Sequence, residues 1–139
     1  MRISNQTKEL SVKIGYHGTG LAGKTTSVLY IYDLNSALKE KEFRSTYCDM
    51  YGHQLFCSTI LKEEYKGWKI KLSLVAKVGA IYLNEGNYKA LESVDGIIFV
   101  ADSQPDRMEA NLNYLYFLDD IFQRFGYNWE QMPYALQLK

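Results

Sequence analysis

A glycine-rich segment near the start of the chain constrains the fold more than any other feature. Residues 18–25 read Gly-Thr-Gly-Leu-Ala-Gly-Lys-Thr, a complete match to the pattern G-x-x-x-x-G-K-[ST]. An alternating run from Leu10 to Tyr16 precedes this segment, and a run with helical periodicity follows from Thr25 towards Leu38. This order predicts a β-strand, a tight loop and an α-helix, so the chain has to fold around a strand–loop–helix unit.

The residue types in this loop predict phosphate binding. Gly18 and Gly23 allow backbone angles and a close approach that a side chain would block. Successive backbone N–H groups and the N-terminus of the following helix can then face an anion. Lys24 is expected to reach the β- and γ-phosphates of a nucleotide, and the Thr25 hydroxyl is expected to be a Mg²⁺ ligand. The predicted nucleotide-binding residues of the loop are Gly18, Gly20, Leu21, Ala22, Gly23, Lys24, Thr25 and Thr26.

The alternative interpretation of this segment is a glycine-rich turn beside a surface lysine. A chance match to the whole pattern is rare, and the context of a preceding strand and a following amphipathic helix also fits. We therefore favour the phosphate-binding interpretation.

Composition narrows the class of protein. The 139 residues include 16 basic and 16 acidic side chains, and the formal net charge of zero predicts no nucleic-acid partner. No apolar run reaches the roughly 18 residues that a membrane span needs, and no lipidation signal is present. Two cysteines and two histidines do not suit a Cys/His zinc site. We expect a single domain over residues 1–139, located in the cytoplasm without a membrane anchor.

Strand and helix signals alternate along the rest of the chain. Residues 39–53 and 79–86 are polar and are expected to be loops, and residues 88–93 a short helix. Strand-like runs over 55–65 and 68–75 flank Lys66-Gly67, which predicts an antiparallel hairpin.

The last third of the chain continues this alternation. The continuous apolar run from Gly96 to Ala101 predicts a strand that is buried on both faces. A helix is predicted over 106–125, with Asp106 and Glu109 as a capping box and Gly126 as its end. A last strand is predicted over 134–138. The alternation predicts an α/β fold with a mostly parallel sheet and helices on both faces.

From about residue 10 onward, the chain resembles the MglA-type small GTPases, Ras/Arf-like regulators of bacterial polarity and gliding motility. The resemblance is carried by Lys13–Thr26 with Tyr30-Ile31-Tyr32, Val94–Gln104 with Arg107–Asn111, and Pro133–Gln137. It implies a Ras-like P-loop NTPase, a three-layer sandwich with one antiparallel hairpin strand in its sheet. It also implies a molecular switch that binds GTP and GDP with Mg²⁺. A dimeric roadblock/LC7-type (MglB-like) partner is implied as the GTPase activator.

Several positions depart from the pattern of that family. Gly79 matches the glycine whose N–H contacts the γ-phosphate, so the resemblance adds it to the nucleotide-binding residues. The family's water-orienting glutamine falls on Ala80, and its Mg²⁺-side threonine falls on Ala76. The Arg-Thr pair of switch I aligns with His53-Gln54, just before Leu55-Phe56. These replacements predict GTP hydrolysis that is weak or absent, and no catalytic residue is assigned.

The family's guanine-reading Asn-Lys-x-Asp motif is expected just after Gln137, and the sequence ends at Lys139. The resemblance thus implies a domain that stops after the family's fifth strand, with weak affinity and poor preference for GTP over ATP.

Three functions stay open, and we favour them in this order. The first is a GTP-binding switch with little hydrolysis of its own, and the second is a pseudo-GTPase scaffold that does not hydrolyse GTP. The third is a small P-loop ATPase or kinase in which Asp102, after its apolar strand, holds Mg²⁺. We favour a simpler role for Asp102, in which it caps the turn before the next helix.

Overall fold

The computed structural model describes residues 1–34, 41–48, 52–78 and 93–139. In this part of the chain, seven β-strands form one sheet, and two α-helices pack on its two faces. The strands are β1 (Arg2–Ser4), β2 (Glu9–His17), β3 (Lys41–Cys48), β4 (Gly52–Ile60), β5 (Lys69–Val78), β6 (Gly96–Ala101) and β7 (Tyr134–Leu138). The helices are α1 (Lys24–Leu34) and α2 (Met108–Phe125), and a 3₁₀ turn at Pro105–Arg107 precedes α2.

The strand order is β3-β4-β5-β2-β6-β7, and β1 pairs antiparallel with the start of β2. Strands β5, β2, β6 and β7 are parallel neighbours, whereas β3, β4 and β5 are antiparallel neighbours. The predicted α/β fold is confirmed. The antiparallel part is larger than the single strand expected, because β1 and β3 were not predicted.

Side chains of β6 point alternately to the two faces of the sheet and divide the core into two clusters. Ile97, Phe99 and Ala101 pack against α2. Ile98 and Val100 pack on the other face, in the cluster that contains Val28 of α1. Because both faces are covered, β6 tolerates the continuous apolar sequence from which it was predicted.

The predicted hairpin is present between β4 and β5. Its turn has positive φ at both central residues, 50° at Lys66 and 78° at Gly67. Tyr65 and Trp68 close the turn with two backbone hydrogen bonds of 2.9 Å. Such a two-residue turn matches the right-handed twist of the paired strands. Regular pairing ends earlier than predicted, since β4 stops at Ile60.

The prediction of a loop over 39–53 is wrong, because β3 occupies Lys41–Cys48 and β4 begins at Gly52. The charged residues at the start of β3 look like a solvated loop in sequence. In the described part of the sheet β3 is the end strand, and charged residues suit an edge strand that is paired on one side only. His53 and Gln54 are consequently ladder residues of β4, between β3 and β5, and not loop residues.

The start of α2 also differs from its prediction. The N-cap is Arg107, with φ −97° and ψ −3°, and it makes no side-chain capping bond, so the capping box of Asp106 and Glu109 is wrong. The 3₁₀ turn runs directly into α2, with the Met108 N–H donating to the Pro105 carbonyl. At the other end the prediction is confirmed, since Gly126 adopts φ 67° and its N–H bonds to Gln123 and Phe122.

Some predictions fall outside the described residues. They are the loop over 79–86, the extension of α1 to Leu38 and, apart from Ser93, the helix over 88–93. Within the described ranges, neither helix has the length and apolar character that a membrane crossing requires.

Candidate functional site

The glycine-rich loop connects the end of β2 to the start of α1, at the centre of the sheet. Gly18 has φ 138°, and a Cβ built on it would lie only 2.1 Å from the carbonyl oxygen of Val100 in β6. Gly23 has φ 85°, and its Cβ would meet the flexible side chain of Lys139 at 3.0 Å. Gly18 is therefore required by the close approach of two backbones, whereas Gly23 is required mainly by its backbone angle.

Lys24 is the first residue of α1 and is buried, with 5% of its surface exposed. Its ammonium group donates to the carbonyl oxygens of Gly18, at 2.9 Å, and Thr19, at 2.6 Å. Burial lowers the pKa of Lys24 to about 8. The side chain thus crosses the loop and places a cation inside it, at the cost of partial desolvation.

The N-terminus of α1 adds to the positive electrostatic potential at the glycine-rich loop. No acidic residue lies in the first turn of α1, so no carboxylate of that turn offsets the positive end of the helix dipole. Thr25 is half-buried and Thr26 is exposed, while Ala22, within the loop, is fully buried. Helix N–H groups, a glycine loop and a buried ammonium group together form an arrangement that suits a polyphosphate.

The tip of the loop is tethered from the end of β7. The Lys139 ammonium group donates to the Leu21 carbonyl at 2.9 Å, and the Lys139 backbone N–H donates to Ala101 at 3.1 Å. Leu21 itself has φ 67° and is 91% exposed, an uncommon backbone angle for a branched apolar residue. No sequence pattern pointed to Lys139 as a neighbour of the loop.

The contacts of Asp102 match the turn-capping role. Its Oδ1 accepts from the Gln104 N–H at 3.2 Å, and its Oδ2 lies 3.8 Å from the Arg107 guanidinium. No group of three or more His, Cys, Asp or Glu side chains suited to a metal occurs among the described residues. The Thr25 hydroxyl suits a Mg²⁺ ion that arrives with a nucleotide, because phosphate oxygens would supply further ligands.

Three of the positions that depart from the expected switch pattern lie among the described residues. Ala76 is fully buried, in the apolar cluster that contains Tyr16 and Leu55. His53 and Gln54 lie in β4. Gly79 and Ala80 lie outside the described residues.

A central parallel strand, a glycine-rich loop and a helix, set in a sheet that is covered on both faces, define an α/β domain of the P-loop NTPase class. No family model matches the chain. The chain is 34% identical over 136 residues to the mutual gliding-motility protein MglA of Myxococcus xanthus (strain DK1622). That alignment covers 97% of this chain and 70% of the relative. The chain belongs to the MglA family of Ras-like small GTPases, as the resemblance predicted.

Proposed function

We propose that this chain is a guanine-nucleotide switch, which binds GTP and GDP with Mg²⁺ through residues 18–26 and has weak or no GTP hydrolysis of its own. The observation that carries the proposal is the buried ammonium group of Lys24, held inside the glycine-rich loop at the N-terminus of α1. Membership of the MglA family supports the choice of a guanine nucleotide.

The electrostatics of Lys24 favour an anionic ligand. Within the described residues, its ammonium group donates to two neutral carbonyls, and burial lowers its pKa to about 8. A phosphate oxygen carries a full negative charge and a carbonyl oxygen only a partial one, so in this partly desolvated place phosphate would stabilise the cation better than the two carbonyls do. Thr25 would hold the Mg²⁺ ion, which would neutralise part of the phosphate charge.

Weak hydrolysis is proposed from the residues at the family's switch positions. The methyl group of Ala76 is buried among apolar side chains and cannot hydrogen-bond. Ala80 replaces the glutamine that orients the attacking water. Losing one contact of this kind typically lowers the rate by a factor of about 100 or more.

The biological part of the proposal follows the name of the Myxococcus xanthus relative, which refers to mutual gliding motility. We propose that this chain acts in the cytoplasm in cell polarity or gliding motility, together with a roadblock/LC7-type (MglB-like) dimer. Without nucleotide binding, the same fold would act as a scaffold for such a partner. The contacts of Asp102 with Gln104 and Arg107 give no support to the ATPase or kinase alternative.

A titration with fluorescent GDP, GTP, ADP and ATP, with and without Mg²⁺, tests nucleotide binding. We expect saturable binding that weakens about 100-fold or more in Lys24→Ala, since a charged partner of the phosphates is lost. Lys62→Ala is the matched control, because Lys62 is exposed in the connection between β4 and β5. Tighter binding of ATP than of GTP would contradict the guanine-nucleotide switch, and no binding at all would favour the scaffold.

Single-turnover phosphate release from GTP tests the proposal that the chain hydrolyses GTP weakly or not at all. We expect little release with or without a roadblock-type dimer, and an increase of about 100-fold when Ala80→Gln is combined with Ala76→Thr. Rapid turnover by the unaltered chain would contradict the proposal of weak hydrolysis.

A further inference from the structure

α2 contacts the glycine-rich loop from the opposite face of the sheet to α1, through two side chains one helical turn apart. Asn111 is 6% exposed and Tyr114 is 7% exposed. Both lie in the half of α2 nearer to its start, on the buried side of the helix. Neither residue belongs to the loop motif, and the function proposed above gives no role to either one.

Asn111 links the loop to the segment after β6. Its Oδ1 accepts from the Thr19 hydroxyl at 3.4 Å and from the Asp102 N–H at 3.2 Å. Its Nδ2 donates to the Asp102 carbonyl at 2.7 Å. One buried amide therefore joins three elements: the loop, the end of β6 and α2. A buried amide that makes three hydrogen bonds holds its partners in position, because breaking any of these bonds would leave a polar group without water or another partner.

Tyr114 reaches the first residue of the loop. The Gly18 backbone N–H donates to the Tyr114 hydroxyl, which also lies 3.5 Å from Nδ1 of His17. Burial raises the pKa of Tyr114 to about 12, so the hydroxyl stays neutral at ordinary pH. The rings of Phe99 and Phe117 pack against the phenol ring, with centroid distances of 6.0 Å and 5.9 Å. The hydroxyl is thus held in place by its own ring contacts.

Gly18 and Thr19 are consequently held from two sides. Lys24 bonds to their carbonyl oxygens from the α1 side, and Tyr114 and Asn111 bond to the Gly18 N–H and the Thr19 hydroxyl from the α2 side. A loop that binds phosphate with backbone N–H groups depends on the orientation of its peptides. A shift of Gly18 and Thr19 would also move the ammonium group of Lys24.

We propose that Asn111 and Tyr114 are positioning residues of the phosphate loop and set its affinity for nucleoside diphosphates and triphosphates. The inference rests on the proposed function, since it assigns to α2 the support of that same site. A positioning role differs from an ordinary core role, in which Asn111 and Tyr114 would contribute to folding stability alone.

The test uses Asn111→Ala and Tyr114→Phe in the full chain, each with a matched control on the same helix. Asn113→Ala and Tyr116→Phe remove the same groups from exposed positions. The affinity for Mg²⁺·GDP is measured well below the unfolding temperature, so that only folded protein is compared. We expect Kd to rise about 5- to 10-fold in Asn111→Ala and in Tyr114→Phe and to change less than about 2-fold in the controls.

Hydrogen exchange of the backbone amides of residues 18–23, measured without nucleotide, gives the second readout. We expect faster exchange at Gly18 in Tyr114→Phe and at Thr19 in Asn111→Ala, with no change in the controls. A lower unfolding temperature with unchanged Kd and unchanged loop exchange would overturn the inference, because it would leave only a core role.

The two proposals can fail separately. If the unaltered chain binds no nucleotide, the proposed function fails and the exchange data decide whether the two residues hold the loop. In that case, unchanged exchange at Gly18 and Thr19 would overturn the positioning role as well, and faster exchange would support it. If the unaltered chain binds GDP and the variants bind equally well, the positioning role alone fails.

Discussion

α1 and α2 meet the same loop from opposite faces of the sheet, and they do so by different means. α1 continues directly from the loop, and its contacting side chain, Lys24, belongs to the loop motif. α2 is distant in sequence and contributes Asn111 and Tyr114, which bond to Thr19 and Gly18. The first contact is specified by neighbouring residues, and the second exists only once β6 and α2 are in place.

This difference separates two tasks that the loop must combine. A short stretch of glycines and a lysine is enough to create a phosphate-binding geometry. Holding that geometry against a flexible backbone requires contacts from the rest of the fold, since glycine has the largest conformational freedom to lose. Variants of loop residues and of core residues should therefore affect stability and binding in different proportions.

The largest effect is expected from Gly18→Ala. The new Cβ would lie 2.1 Å from the Val100 carbonyl oxygen, so the loop and β6 would have to separate. We expect the free energy of unfolding to fall by about 3 kcal/mol or more and nucleotide binding to be lost. Gly126→Ala is the control, because Gly126 also has positive φ but no atom lies within 4 Å of its Cβ position. Denaturant unfolding of both variants measures the difference, and equal losses would contradict the role of close packing at Gly18.

Leu118→Ala tests whether α2 stability alone controls the site. Leu118 is fully buried in the cluster under α2, and that cluster contains no residue of the glycine-rich loop. We expect unfolding to become easier by about 3 kcal/mol, because a cavity replaces the side chain. At a temperature where the variant stays folded, its Kd for GDP should be unchanged. A large rise in Kd would show that any weakening of α2 disturbs the loop. The positioning role of Asn111 and Tyr114 could then not be separated from a role in folding stability.

The pH dependence of binding tests the contribution of α1. Because burial lowers the pKa of Lys24 to about 8, the free chain loses this proton above that pH, while phosphate binding requires the charged form. We expect Kd to rise by up to about tenfold per pH unit above pH 8. Lys24→Arg should bind more weakly but without this dependence, since a guanidinium stays protonated. A flat profile for the unaltered chain would contradict the lowered pKa.

The same group links pH to folding stability in the free chain. The unfolded state, with a lysine pKa of 10.5, binds more protons than the folded state between pH 8 and 10.5. Stability without nucleotide should therefore rise with pH in that window, the opposite direction to affinity. Denaturant unfolding at pH 8 and at pH 10 checks the sign, with Lys24→Arg as the control.

The smallest effect is expected from Leu21→Gly at the tip of the loop. Leu21 has φ 67° and an exposed side chain, so the substitution removes an unfavourable backbone angle and little packing. We expect a gain in unfolding free energy of about 0.5 kcal/mol, since relief of the angle exceeds the entropy cost of glycine. Thermal unfolding measures it, and a clear loss of stability would show that the Leu21 side chain makes contacts that matter.

The sequence predicts the elements that carry a local pattern. The structure confirms those elements whose signal depends on neighbouring residues alone. They are the loop, β2, β6, the hairpin turn at Lys66-Gly67 and the end of α2 at Gly126. The sequence does not predict β3, because an edge strand can hold charged residues and a charged segment is typical of a loop.

The support of the loop could not be read from the sequence for a different reason. Asn111 lies in a stretch whose only distinguishing feature is its family resemblance, and Tyr114 is one of 12 tyrosines with no distinguishing spacing. Their partners are Thr19 and Gly18, which approach only because β6 lies between β2 and β7 and carries α2 on one face. Such pairs depend on the completed fold, so they have no short-range signature.

Amide NMR spectra of the isotope-labelled chain, recorded during titration with Mg²⁺·GDP, test the central claim most directly. If residues 18–26 form the phosphate site, their backbone amides should show the largest shifts, and Lys24→Ala should abolish them. Saturable binding with shifts confined to other parts of the chain, or shifts that persist in Lys24→Ala, would contradict the account.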